Sequence, residues 1–107
     1  MNVFISQPMS GKNIEDIMRY RRRAIYTINN VIFCDGKDEQ DRPICILDNL
    51  QEDKDPETTS SLEYLGEDIK MLDKADIIYF VKDWEKSRGC NIEFQVAKEY
   101  GIPMIFE

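Results

Sequence analysis

Residues 76–81 read Asp-Ile-Ile-Tyr-Phe-Val, and this stretch decides the fold. A run of β-branched and aromatic residues predicts a strand. The residues before it predict a helix over 61–74, because apolar side chains recur at helical spacing: Leu62, Leu65, Ile69 and Leu72. The residues after it predict a helix over 90–100 on the same ground: Ile92, Val96, Ala97 and Tyr100. A strand is therefore expected between two helices.

The same alternation extends to both ends of the sequence. Strands are predicted over 2–6 and 104–106, with a helix over 14–28 and a central strand at Ile44–Leu47. The apolar run Val31–Cys34 fits two structures, the end of the helix connection or an edge strand in a hairpin. The order β-α-β-α-β-α-β predicts an α/β fold, a flavodoxin- or Rossmann-like three-layer sandwich with a parallel sheet of 4–5 strands and helices on both faces.

Composition narrows the functional classes. A length of 107 residues predicts a single domain, residues 1–107. The net charge of −7 makes a nucleic-acid polymer or a membrane surface an unsuitable partner. The absence of histidine excludes His-based triads, HExxH zinc sites and C₂H₂ fingers. No metal site and no cofactor are expected. Three cysteines without a CxxC pair, and no signal peptide, predict reduced thiols in the cytoplasm.

Ligands of open parallel sheets bind beyond the carboxyl ends of the strands. The loops predicted there are 7–12, 48–59 and 82–89. The first opens a helix whose backbone N–H groups favour an anion, although a plain β–α turn explains it equally well. In the last, Arg88 suits a phosphate or carboxylate and Gly89 allows close approach of a ligand, or the two form an ordinary turn.

Two acidic residues are the candidates for chemistry. Glu93 falls in the first turn of the last helix, where the helix dipole is expected to keep it ionised and suited to nucleophilic or electrostatic work. Asp68 borders an apolar stripe and is expected to be partly shielded. Each is also explained as an ordinary helix-surface carboxylate. The same dipole predicts a lowered pKa for Cys90, and the basic run Arg19–Arg23 is interpreted as a solvated helix face.

Several segments together resemble a known family. They are Val3–Lys12 (VFISQPMSGK), Tyr64–Asp68, Ala75–Trp84, Arg88–Glu93 and Ala97–Gly101. They look like the bacterial and phage domains described as nucleoside 2-deoxyribosyltransferase-like, a small branch of that superfamily. The resemblance covers most of the chain apart from residues 30–58.

The resemblance implies a reaction at the N-glycosidic bond of a deoxynucleoside or nucleotide. Members of the superfamily carry an Asp, a second Asp eight residues later and a Glu some 16 to 18 residues beyond; Asp68, Asp76 and Glu93 fit this pattern. Glu93 is then the nucleophile at the anomeric carbon, and Asp68 orients or protonates the leaving base. The implied substrate-binding residues are Ser6, Gln7, Pro8, Met9, Ser10, Gly11, Asp76, Trp84, Arg88 and Gly89.

The resemblance also implies a homodimer in which the second subunit completes each site. The related enzymes carry a tyrosine hydroxyl near the end of the first strand, in contact with the nucleophile. This sequence has Val3 and Phe4 there, so that contact is expected to be missing or replaced. A non-catalytic nucleotide sensor and a protein-interaction module therefore stay open as alternatives to an enzyme.

Overall fold

The computed structural model describes all residues, 1–107. Four strands and three α-helices alternate along the chain: β1 (Asn2–Ser6), α1 (Ile14–Thr27), β2 (Cys45–Ile46), α2 (Ser61–Leu72), β3 (Ile77–Phe80), α3 (Arg88–Tyr100) and β4 (Met104–Phe106). The predicted alternation is confirmed. None of these helices has the length and apolar character needed to cross a membrane.

The strands form one parallel sheet in the order β2-β1-β3-β4. β1 and β3 are the inner strands, and their register pairs Val3 with Ile77 and Ser6 with Phe80. The predicted flavodoxin- or Rossmann-like α/β sandwich is confirmed. The carboxyl ends of β1 and β3 lie side by side, so residues that follow them share one edge of the sheet.

Alternate strand residues face opposite sides of the sheet and form two separate cores. On one side, α1 packs over a core of Val3, Ile5, Ala24, Ile28, Ile77, Tyr79 and Val81. On the other side, α2 and α3 cover Phe4, Leu72, Ile78, Phe80 and Ala97. Ser6 follows Phe4 in this alternation, so its hydroxyl faces α2 and α3.

The prediction of a strand at Ile44–Leu47 is confirmed over Cys45–Ile46, but the prediction that this strand is central is wrong. β2 has two residues and lies at the edge of the sheet. Ile44 N donates to Gly36 O at 3.0 Å, so this residue pairs with the preceding loop and not with β1. Beyond β2, the side chain of Asn49 replaces the strand ladder by donating to Ile5 O at 2.9 Å.

The apolar run Val31–Cys34 continues the helical connection and is not a strand. A π-helical turn covers Ile28–Ile32, and a 3₁₀ turn follows at Cys34–Gly36. Of the two structures that fit this run, the end of the helix connection is therefore confirmed.

Candidate active site

Glu93 lies at the carboxyl end of β1. Helix α3 carries it there, and Ser87 caps that helix by accepting from Cys90 N at 3.4 Å. The Ser6 hydroxyl donates to Glu93 Oε1 at 2.8 Å, and both residues are buried, with 0% and 4% of their surface exposed. The hydroxyl beside Glu93 thus comes from the last residue of β1, not from the positions of Val3 or Phe4.

Asp68 reaches the same place from helix α2, and its half-buried carboxyl group hydrogen-bonds that of Glu93. Burial, followed by the negative charge of Asp68, raises the pKa of Glu93 to about 8. Burial also raises the pKa of Asp68, to about 6. At neutral pH the two carboxyl groups therefore hold one proton between them. We call Asp68 and Glu93 the acid pair.

The expectation that the helix dipole keeps Glu93 ionised is wrong. Helix α3 begins at Arg88, so Glu93 is its sixth residue and lies beyond the first turn, where the helix dipole acts; its removal from water and its acidic neighbour raise its pKa. The same holds for Cys90, which is 2% exposed and whose pKa is raised by burial. The predicted lowering of that thiol's pKa is therefore also wrong.

Two polar side chains that the sequence did not single out extend the site. Gln51 donates through Nε2 to Asp68 Oδ1 at 2.8 Å and to Tyr64 O at 2.9 Å. Arg21 is 5% exposed, donates to Leu47 O at 3.0 Å and is attracted electrostatically by Asp68 and Asp48. The interpretation of Arg19–Arg23 as a solvated face is therefore wrong at Arg21. We call Ser6, Arg21, Gln51, Asp68 and Glu93 the polar cluster.

Buried polar atoms without a hydrogen-bond partner concentrate around this cluster. They are Gln7 Oε1, Arg21 Nη1, Asn49 Oδ1 and Gln51 Oε1. Their side chains are anchored at the carboxyl ends of β1 and β2 or on the facing helices: the Gln7 amide donates to Ile17 O at 2.7 Å, and that of Asn49 donates to Ile5 O. Folded proteins leave few such atoms, and those that persist often mark functional positions. Their concentration favours a binding site at this edge.

The other predicted residues of the first loop lie near this edge but outside the polar cluster. Gln7 and Pro8 line a small cleft on the α1 side of the sheet. Met9 is half-buried, Ser10 and Gly11 are exposed, and Gly11 adopts a φ of 75°, which a side chain would disfavour.

The residues at the start of α3 share the edge of the acid pair. Arg88 is exposed at the first position of the helix, and its side chain forms no hydrogen bond or ion pair within the chain. Gly89 follows it and is half-buried, with open space where a side chain would stand. Both positions are compatible with an approaching ligand.

Two further predicted substrate-binding residues, Asp76 and Trp84, make their contacts outside the polar cluster. Asp76 precedes β3 at the amino end of the sheet, where its carboxylate accepts from Asn2 N at 2.6 Å. A strand of four residues separates it from the acid pair's edge by about 13 Å, so it does not line that edge, and its substrate contact stays a prediction. Trp84 packs in an aromatic cluster with Phe80, Phe94 and Phe106, at ring-centroid distances of 5.0, 5.0 and 5.4 Å.

The polar cluster suits acid–base and nucleophilic chemistry. No group of three or more Asp, Glu or Cys side chains is arranged to hold a metal ion. Two carboxyl groups that share one proton offer an ionised oxygen and an acid in the same place, so the pair can supply both a base or nucleophile and a proton donor.

A comparison with protein families covers the whole of this site. The model described as a domain of unknown function (DUF4406) matches residues 1–106. The chain belongs to the DUF4406 family. Searches of curated proteins and of solved structures found no match. The DUF4406 match includes every residue of the polar cluster, so the acid pair lies inside the family's domain.

Proposed function

We propose that this DUF4406 protein binds a nucleoside or nucleotide and cleaves or transfers its N-glycosidic bond at the acid pair. The observation that carries the proposal is the contact between Asp68 and Glu93, which brings two carboxyl groups and one proton to the carboxyl edge of a parallel sheet. The resemblance to nucleoside 2-deoxyribosyltransferase-like domains supports the same reaction.

In the proposed reaction, the ionised carboxylate attacks the anomeric carbon. The C–N bond breaks, its electron pair goes to the leaving base, and the other carboxyl group protonates that base. The covalent glycosyl intermediate is then opened by water in hydrolysis or by a second base in transfer. As the resemblance implies, Glu93 is the nucleophile and Asp68 the acid, so the proton must lie on Asp68 when attack begins.

The Ser6 hydroxyl fits this reaction because it contacts Glu93 directly at 2.8 Å. A hydroxyl can donate to the ionised carboxylate and also accept from the protonated form. Ser6 can therefore contact Glu93 in either protonation state, but the bond that it donates favours the ionised form and holds the carboxyl group toward the end of β1.

Base release from a panel of ribo- and deoxyribonucleosides and their 5′-monophosphates, followed by chromatography with and without an acceptor base, tests the proposal. We expect Asp68→Asn to lower the rate about 10²- to 10⁴-fold, because protonation of the leaving base is lost. Glu93→Gln should cost at least as much. Glu99→Gln, an exposed carboxylate on the same helix, is the matched control and should leave the rate unchanged.

A folded wild-type protein that is as inert as Glu93→Gln across the panel would contradict the enzymatic proposal. A rise in melting temperature with a nucleotide but without turnover would then favour a non-catalytic nucleotide sensor. The absence of both would favour the protein-interaction alternative.

The proposal includes a homodimer, as the resemblance implies. Leu62 on α2 and Ile92 on α3 are exposed on the two helices that supply the acid pair. We expect a second copy to cover these apolar side chains, and light scattering coupled to size-exclusion chromatography measures the resulting mass.

A further inference from the structure

Gln51 connects the loop between β2 and α2 to the acid pair. Its backbone adopts a φ of 55°, in the left-handed region that residues other than glycine rarely occupy. Such strained conformations persist where surrounding contacts hold them, and they concentrate at functional sites. Gln51 is held by its side-chain amide and by its backbone carbonyl group, which accepts from Lys54 N at 3.1 Å.

The orientation of the Gln51 amide is fixed by what it contacts. Its Nε2 donates to Tyr64 O and to Asp68 Oδ1, two acceptors one helical turn apart on the same face of α2. A flipped amide would place Oε1 against a carbonyl and a carboxylate, which repel it. Besides Glu93, Gln51 provides the only side-chain hydrogen bond to Asp68.

The Gln51 amide can only donate a hydrogen bond to Asp68 in this orientation and cannot accept one from it. An N–H group that donates to a carboxylate favours its ionised form, whereas the Ser6 hydroxyl on Glu93 suits either form. The other charged groups that influence Asp68 are Arg21 on α1, which attracts it, and Glu67 on its own helix, which repels it. Asp48 and Glu52 in the loop attract Arg21, and the nearby thiol of Cys90 is buried and protonated.

We propose that Gln51 is a positioning residue that keeps the shared proton on Glu93 and so withholds the attacking carboxylate until its loop moves. When Nε2 leaves Asp68 Oδ1, the proton spends more of its time on the Asp68 carboxyl group and less on that of Glu93. Each proton that Asp68 gains leaves one Glu93 carboxylate ionised, so the total charge is unchanged. The meaning of this switch for catalysis rests on the proposed function.

Two features of Gln51 favour release of its contact with Asp68. Gln51 Oε1 is buried without a hydrogen-bond partner, so movement of the loop would let water reach this oxygen. The backbone of Gln51 is strained, so the same movement would let its φ angle relax. A ligand that offers new partners to the amide would therefore open the loop and raise the ionised fraction of Glu93 in the same step.

Titration of the side-chain carboxyl carbons by NMR tests the proposal without any turnover. In Gln51→Leu we expect the pKa of Asp68 to rise by about 1 and that of Glu93 to fall, because the donor to Asp68 is lost. Gln51→Gly also removes the amide but relieves the left-handed backbone, so it should give the same titration in a protein at least as well folded. Gln95→Leu, which removes an exposed amide on α3, is the control and should match wild type.

Asp68 and Glu93 titration curves that superimpose on those of the wild type in both Gln51 variants would overturn the proposal. The result is separable from that of the proposed function. An inert wild type whose carboxyl groups respond to Gln51 as expected removes the reaction and supports Gln51 as the residue that places the proton. Turnover with unresponsive carboxyl groups removes only the role of Gln51.

Discussion

Two glutamates at the same edge of the sheet have opposite environments. Glu107 follows β4, and its carboxylate accepts hydrogen bonds from the Arg23 guanidinium, from Lys82 N at 3.0 Å and from the Tyr79 hydroxyl at 3.2 Å. Glu93 faces another acid and accepts from Ser6 alone. The carboxylate of Glu107 therefore has several hydrogen-bond donors, whereas the carboxyl group of Glu93 has one.

The pKa of each group reflects this difference. The pKa of Glu107 lies below its ordinary value, because its hydrogen bonds and its ion pair with Arg23 outweigh partial burial. The pKa of Glu93 rises to about 8, because burial and Asp68 act against ionisation. A carboxylate with several hydrogen-bond donors, such as Glu107, stabilises the fold in its ionised form. A buried carboxyl group with few donors, such as Glu93, stays protonated near neutral pH and can take part in proton transfer.

The largest expected effect that separates the two glutamates is the response of stability to pH. The pKa of Glu93 is about 8 in the folded protein, against 4.5 for an ordinary glutamate. Its contribution is therefore fully present below about pH 4.5 and is lost as the pH rises toward 8. Urea unfolding should show a loss on the order of 3 kcal/mol between pH 5 and 8, and Asp68 should add to it with the same sign.

Glu93→Gln should remove most of that loss, since an amide mimics the protonated acid. The absence of histidine makes the measurement clean, because few other groups titrate in this range. A wild-type stability that is flat or that rises from pH 5 to 8 would refute the assignment. Glu107 has the opposite sign, because its lowered pKa makes its contribution disappear only in acid.

Ser6→Ala removes the one hydroxyl donor to Glu93 and should have the next largest effect. The hydroxyl is fully buried, so we expect a cost of about 1–2 kcal/mol in the free energy of unfolding and a further rise in the pKa of Glu93. Ser10→Ala, at an exposed position in the following turn, is the matched control. Equal stabilities for the two variants would argue against the contact.

Tyr79→Phe removes one of the hydrogen-bond donors to Glu107. Burial raises the pKa of Tyr79 to about 12, so its hydroxyl stays protonated and donates to Glu107. We expect a loss of about 1 kcal/mol by thermal or urea unfolding. Tyr26→Phe, at an exposed tyrosine of α1, should be neutral, and a comparable loss there would remove the distinction.

The smallest expected effect is the ion pair between Arg23 and Glu107. Arg23 is 46% exposed on its side chain, so solvent screens the pair. A double-mutant cycle with Arg23→Gln and Glu107→Gln should give a coupling of about 0.5–1 kcal/mol that falls with added salt. A salt-independent coupling above about 2 kcal/mol would mean that the pair is more shielded than its exposure indicates.

The sequence predicts the helices and the inner strands because their apolar spacing is local. The edge position of β2 is not local, since it depends on Ile44 pairing with Gly36 and on Asn49 replacing the ladder with β1. A short apolar run carries no information about which strands will lie beside it.

Some residues of the candidate site could also be predicted from the sequence. The family resemblance predicts Asp68 and Glu93 as a pair, whereas the burial that reverses the expected pKa of Glu93 depends on tertiary packing. Arg21 did carry a signal, because it shares a helix face with Ile17, Ala24 and Ile28 at intervals of four, three and four residues. Gln51 carried none, since its contact with α2 exists only after the loop folds back.

The short strands at both margins of the sheet limit how the molecule can associate. β2 offers two residues and β4 three, while the longer strands are enclosed between them. A short edge strand offers another chain few backbone groups to pair with, which protects against edge-to-edge aggregation. We therefore expect a second copy to pack against the helical layers, where α2 and α3 would bring its surface next to the proton shared by Asp68 and Glu93.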